Sequence, residues 1–347
     1  MATIRSKALK VPLRHAEEAR RYLQLQDALR HDLAITKDDT FIYFPLKQPM
    51  EGCPFGTSVD HDFANRQERV KSYQDIVAVP VALQPLLPSS FDVVGTIALI
   101  KIPEELEAYT KGIGEAMLRA NPHLSTICQI DPVAGELRTR GCRVIAGERS
   151  TETLYQEHGV RLWIDVASVY FSPRLSTERR RVAGLVKDGE CVVDLFAGAA
   201  PFSIMIAKFA HPRIVYALDK NPAAVVYARR NVLSNQVNDI VEVIEGDAKD
   251  AGSLIPEKAD RVIMNLPFLA YEFFPTALSI AADTCTFHYY DILSEDAFEQ
   301  RWQQLSKIAV TAGFAVTRGT FRKIKSYSAR EFYIGLDVTA TKTRTPL

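Results

Sequence analysis

The sequence predicts an α/β chain: a Rossmann-like, seven-stranded, mostly parallel sheet in its C-terminal half, preceded by two smaller α+β domains. Three observations carry this. From about residue 167, short apolar strand segments alternate strictly with helical ones, the pattern of a parallel sheet covered on both faces. A stretch rich in Pro, Gly and polar residues, 51–67, reads as a linker behind a small unit of its own. Finally, 347 residues are too many for one ordinary core.

In order, residues 1–50 contain a strand ("LKVPL"), a helix ("RHAEEARRYLQLQDALR") and a strand ("TFIYFPL"). Residues 68–166 form the middle domain, with the glycine-bearing strand "FDVVGTIALIKIP", the helix "EELEAYTKGIGEAMLRA" and further strands up to "VRLWIDV". Residues 167–347 then alternate: "ECVVDLF", "RIVYALD", "VEVIEGDA", "DRVIMNLP" and "TCTFHYYDI" are strands, with helices between them. The closing strands "GFAVTRGTFRKI" and "REFYIGLDVTA" are separated by a short connection and should form an antiparallel hairpin at one edge. An apolar content of 47% with 24% charged residues is that of a water-soluble globular chain. Five scattered cysteines without a C-x-x-C pair argue against a disulfide framework or zinc finger and for a reducing compartment. No apolar run approaches 18 residues, so the cytoplasm is the expected location. The formal net charge is zero, so any nucleic-acid partner has to be held by local basic patches.

The strand tips are the informative places. The first ends in Asp194 and runs through Phe196 and Gly198 to Pro201; the second ends in Asp219, the third in Asp247, the fourth in Asn265-Leu266-Pro267. An acid at the second tip suits the two hydroxyls of a ribose. An acid at the third can accept from an exocyclic amine such as that of adenine. The first turn lacks G-x-G-x-x-G and so offers no pyrophosphate cradle. A phosphate-free adenosine such as that of S-adenosylmethionine fits better. Asn265-Leu266-Pro267-Phe268 is a variant of the Asn/Asp-Pro-Pro-aromatic tetrad of enzymes that methylate planar nitrogens, although an Asn-initiated turn gives the same residues.

The pieces "FDVVGTIALIKIP", "GELRTR", "VYFSPRLSTERRRVAGLVKDGE", "VVDLFAGAAPFSI", "EGDA", "MNLPFLAYEFF" and "HYYDI" span nearly the whole chain. In these the sequence resembles the archaeal and eukaryotic tRNA (guanine-N1-)-methyltransferases acting at position 37, 3′ of the anticodon. The resemblance implies a class I methyltransferase fold, a monomer, S-adenosylmethionine as cofactor and tRNA as partner. It implies that Glu178 is the general base at N1, that Arg138 binds guanine O6, and that Asn265 and Tyr170 lie at the target base. It places Arg179, Asp194, Phe196, Gly198, Asp219, Lys220, Asp247, Ala248, Asn265 and Pro267 around the cofactor, and gives residues 1–50 the task of checking the outer corner of the tRNA. One departure stands out: Ala199-Ala200 replaces the family's second glycine, which could tighten the cofactor pocket.

The chemistry suits these residue types. Guanine N1 is protonated and needs a base within hydrogen-bond reach. The charge that develops at O6 needs a guanidinium. The base must also leave its stack, which suits aromatic neighbours such as Tyr170 and Phe268. Taken by itself, Glu178 reads instead as an i,i+3 salt-bridge partner of Arg181 on a solvated helix. Arg174, Arg180 and Arg181 in one basic cluster, and Lys323 and Lys325 in another, are the expected phosphate contacts. His288-Tyr289-Tyr290 is expected to pack behind the site. Two rivals share the scaffold: a wyosine-pathway enzyme transferring an aminocarboxypropyl or methyl group, and a non-catalytic tRNA-binding relative.

Overall fold

The computed structural model describes residues 3–65, 72–134 and 139–343, with the side chains of 132–140 outside that description. The chain divides into two compact units, Met1–Lys71 and Ser72–Leu347.

The first unit is an antiparallel sheet of β1 (Thr3–Pro12), β2 (Thr36–Lys37), β3 (Phe41–Pro45) and β4 (Thr57–Ala64), ordered β2-β3-β1-β4, with helix α1 (Ala16–Leu25). Ala19 and Leu23, four residues apart on α1, bury against Leu9 and Val11 of β1 and Phe44 of β3. The linker expected at 51–67 is therefore corrected: Thr57–Ala64 pairs with Thr3–Lys10 residue for residue. Its inward residues are Val59 and the fully buried Phe63, while Asp60 and Asp62 between them give the segment its polar look. Gly56 is needed where the chain enters this strand, because a Cβ there would stand 2.2 Å from the Lys10 carbonyl oxygen.

In the second unit β5 (Asp92–Val94), β6 (Ile97–Ile100), β7 (Thr126–Ala134) and β8 (Thr139–Gly147) form one sheet in chain order. Helix α2 (Thr110–Ala120) crosses between the parallel pair β6 and β7 and buries Ile113 and Met117 against Ile100 and Ile127. The hairpin β9 (Glu152–Glu157) and β10 (Val160–Asp165) follows. Val160, Leu162 and Ile164 of this hairpin share one core with Val94, Ile97 and Cys128 of the middle sheet and with Val192 and Val215 of the large sheet. Two asparagines of helix α5 (Pro222–Ser234) and its C-cap tie the hairpin to the large-sheet half. Asn231 and Asn235, both buried, accept from the backbone N–H of Trp163 and Arg161 and donate to the carbonyls of the same two residues.

The large sheet comprises β11 (Cys191–Asp194), β12 (Ile214–Asp219), β13 (Val241–Glu245), β14 (Ala259–Met264), β15 (Ala281–Ser294), β16 (Phe314–Ser326) and β17 (Glu331–Lys342). Their order is β13-β12-β11-β14-β15-β17-β16, all running the same way except β17, which lies antiparallel between β15 and β16. Alternation sends Val192 and Ile263 to one face, against α3 (Ser176–Ala183), α4 (Pro201–Phe209) and α5. Cys191, Val193, Val262 and Met264 go to the other, against α6 (Ala251–Leu254), α7 (Phe274–Ser279) and α8 (Ala297–Thr311). Strand order therefore reverses beside β11, where the carboxyl ends of neighbouring strands diverge and open a crevice.

Candidate cofactor and substrate site

The four expected tips meet there. β11 turns sharply after Asp194: Gly198 takes φ +56° and Ala200 φ +63°. At Gly198 a Cβ would meet only the Tyr170 carbonyl oxygen, at 3.8 Å, so this side of the turn is open. Ala200 holds a left-handed conformation that costs an L-residue roughly 1–2 kcal/mol. Its N–H donates to the Ala197 carbonyl at 2.8 Å, its own carbonyl receives Ile204, and Pro201 begins α4 with its φ already set. Neither Ala199 nor Ala200 faces the cavity, so the expectation that they narrow the pocket is corrected.

Asp219, at the end of β12, joins two turns. Its Oδ2 accepts the Gly198 N–H at 2.6 Å and its Oδ1 the Asn221 N–H at 2.9 Å. Burial raises its carboxyl above the usual range, offset in part by those two backbone donors. Asn221 caps α5 and donates to the Ser168 carbonyl at 2.9 Å, which ties the segment leading to Tyr170 over the tip. Asp247 caps the short turn after β13 through the Lys249 N–H and faces Lys220 at 3.7 Å. At the fourth tip the Tyr333 hydroxyl donates to Asn265 Oδ1 and fixes the orientation of that amide. Phe268 follows at φ +71°, its N–H on the buried Asp291 carboxylate and its ring half-exposed against Tyr327.

These residues enclose a cavity of about 270 Å³. Tyr170, Arg179, Phe196, Gly198, Asp219, Lys220, Asp247, Ala248, Asn265 and Pro267, all expected from the sequence, line it. An open glycine turn between two acidic tips fits an adenosine, and Leu195, Phe196 and Phe273 give a flat ring apolar walls. Arg179 is buried and already bound, with Nε and Nη2 on Glu157 at 2.5 and 2.6 Å and Nη1 on the Ser172 carbonyl. Glu157, Asn221, Ser172, Lys249 and Glu272 were missed by the sequence reading. Asn221-Pro222 carried a helix-start signal that could have found Asn221; nothing near Glu157 marked it.

Two expected residues stand behind the wall. Asp194 receives the Ser203 hydroxyl on Oδ2, while its Oδ1 is buried without a hydrogen-bond partner among the described residues. Burial, with the nearby Asp219 charge, pushes its carboxyl up to about 7 despite the Ser203 bond. An acid whose folded value lies above its ordinary 3.8 contributes stability that is complete below 3.8 and is lost as pH rises through about 7. The shift of about 3 units corresponds to roughly 4 kcal/mol. Asp194→Asn should therefore gain stability over the parent as pH rises from about 5 to about 8. Thermal melts at both pH values check this, and parallel slopes for the two proteins would refute it.

Glu178, on α3, is also buried and does not line the cavity. It accepts from Arg181 at 2.8 and 2.9 Å, from the Tyr290 hydroxyl at 2.8 Å and from Arg322 at 3.1 Å. The i,i+3 pair with Arg181 thus forms, but in the interior rather than on a solvated face. Burial raises the Glu178 carboxyl, and Arg181, Tyr290 and Arg322 outweigh it to leave the group below its ordinary value. Arg138 lies outside the described residues.

Of the expected phosphate contacts, Arg181 is corrected: its fork is spent on Glu178 and Asp337. Arg174 pairs with Asp92 at 2.6 Å, Arg180 lies over the Phe209 ring, Lys323 pairs with Glu295, and Lys325 reaches the Ser172 hydroxyl at 3.4 Å.

Three family models match in chain order. They are the tRNA methyltransferase 5 N-terminal domain over residues 8–54, the TYW2 N-terminal domain over 74–151, and the TRM5/TYW2 methyltransferase domain over 153–317. The tRNA (guanine(37)-N(1))-methyltransferase Trm5b of Pyrococcus abyssi is 40% identical over 332 residues, 95% of this chain and 98% of that one. Its crystal structure matches with a TM-score of 0.74 over 97% of this chain and 99% of that one. A structure of aTrm5 with tRNALeu, 30% identical, matches with a TM-score of 0.75 over 97% and 99%. By contrast, the tRNA(Phe) (4-demethylwyosine(37)-C(7)) aminocarboxypropyltransferase of Methanocaldococcus jannaschii is 31% identical over 59% of this chain and 81% of its own. Matched nearly end to end at this identity, the chain belongs to the Trm5 family of tRNA (guanine(37)-N(1))-methyltransferases.

Proposed function

We propose that this chain methylates N1 of guanosine 37 in tRNA with S-adenosylmethionine as methyl donor. The observation that carries the reading is the convergence of Asp219, Asp247 and Asn265 on one cavity beneath Gly198. When bound, the cofactor supplies an electrophilic methyl group. Asp219 then accepts from the ribose hydroxyls and Asp247 from the adenine amine, while Arg179, Phe196, Lys220, Ala248 and Pro267 close round them. Asn265, its amide held by Tyr333, and Tyr170 orient the target base. Glu178 takes the N1 proton, and Arg138 stabilises the negative charge that moves to O6. For Glu178 this requires one of its donors to let go. Arg322, with its single bond of 3.1 Å, holds it less firmly than Arg181 does.

Arg174, Arg180, Lys323 and Lys325 contact tRNA phosphates, with Asp92 on Arg174 and Glu295 on Lys323 as exchangeable placeholders. Residues 1–71 form a separate tRNA-checking domain, the chain acts as a monomer, and it works in the cytoplasm. No helix among the described residues is long and apolar enough to cross a membrane.

The deciding experiment is methyl transfer to unmodified tRNA transcripts carrying guanine or adenine at position 37. Product 1-methylguanosine from the first and none from the second is the expected result. An aminocarboxypropyl product, or no product despite cofactor binding, would establish one of the rivals. Removal of residues 1–71 should leave a folded, cofactor-binding protein that discriminates less against tRNA with a disrupted outer corner.

A further inference from the structure

Glu178 belongs to a chain of buried and partly buried charges that crosses the large sheet. Arg181 donates Nε and Nη2 to Glu178 at 2.9 and 2.8 Å, and Nη1 and Nη2 to Asp337 of β17 at 2.9 and 3.0 Å. Arg322 of β16 donates to Glu178 and lies 3.7 Å from Asp337. Asp337 also meets Nδ1 of the buried His288, on β15, at 2.7 Å. On the far side of that ring the Arg261 guanidinium of β14 approaches Nε2 at 2.7 Å. A guanidinium can only donate, so Nε2 accepts and Nδ1 carries the proton. Burial keeps the ring neutral, against the pull of Asp337. Arg261 closes on Glu190 at 2.7 and 3.0 Å, and those two charges cancel. Tyr290, hydrogen-bonded to Glu178 and packed on Tyr333, is held un-ionised by burial and the Glu178 charge. What remains is two guanidiniums, Arg181 and Arg322, facing two carboxylates, Glu178 and Asp337.

From this geometry we propose that Asp337 is a positioning residue for methyl transfer. It takes up one of two guanidinium charges that would otherwise fall on Glu178, and so leaves Glu178 able to accept a proton. The proposal rests on the reading of Glu178 as the base. Asp337 does not line the cavity, so it acts through Arg181 and Arg322 rather than on substrate. Removing its charge sets two cations against one carboxylate. Removing Arg322's charge does the reverse.

The test is single-turnover methyl transfer as a function of pH for the full-length protein. Asp337→Asn should slow the plateau about 10-fold and move the acid limb down by about one pH unit. Arg322→Met should move that limb up by a similar amount, and the double variant should return it close to the parent position. S-adenosylmethionine affinity should stay within a few fold throughout. Glu178→Gln is run alongside. If it keeps the acid limb, that limb belongs to another group and the reading of Glu178 has failed. If it loses the limb while Asp337→Asn leaves it in place and only lowers the melting temperature, Asp337 is merely structural and this inference alone is overturned. Should Asp337→Asn not fold, Arg322→Met decides by itself, and an unmoved limb overturns the proposal.

Discussion

Glu178→Gln should lower single-turnover methyl transfer by about 10²–10⁴-fold, the usual cost of losing a general base. Glutamine keeps the size of the side chain and one oxygen for Tyr290 and Arg322, but it cannot take a proton near neutral pH. Affinities for tRNA and cofactor should stay within a few fold, because the carboxylate lies behind the cavity wall rather than on it. Arg138→Ala should also slow chemistry, and the two losses should be less than additive, since both act on one developing charge. A Glu178→Gln protein that methylates at the parent rate would reduce Glu178 to the ion-pair partner of Arg181 and place the base elsewhere.

The second large effect is on cofactor binding. Asp219→Ala should weaken S-adenosylmethionine by about 10²-fold or more, since two hydrogen bonds to a charged acceptor are worth roughly 1.5–3 kcal/mol each. The same carboxylate anchors the N–H groups of Gly198 and Asn221, so the glycine turn loosens as well. Calorimetry measures the loss, with a melt to verify the fold. Unchanged affinity would exclude this tip as the ribose site.

Much of this was legible in the chain. Strand periodicity and the polar residue ending each strand are local properties, so the sheet, its four tips and most of the cavity wall could be read directly. The ring of partners could not. Glu157 meets Arg179 across 22 positions, and Asp337 meets Arg181 across 156, pairings that only the tertiary fold creates. For the same reason Arg181 looked like a phosphate contact: a run of three arginines does not say which side of a short helix faces the interior. The strand at Thr57–Ala64 escaped notice because Asp60, His61 and Asp62 make its middle wholly polar, with His61 on the inward face between Val59 and Phe63.

The amides of Asn231 and Asn235 have a further consequence. A strand at the border of a two-stranded sheet bares a row of peptide groups that invites another chain to join it. Along β10 those groups are already taken at Arg161 and Trp163, by side chains that copy the donor-and-acceptor spacing of a neighbouring strand. A helix residue spaced four from the next thus performs strand pairing without a strand. The border is closed to aggregation by two buried amides, with none of the surface lysines or prolines that usually guard such a place.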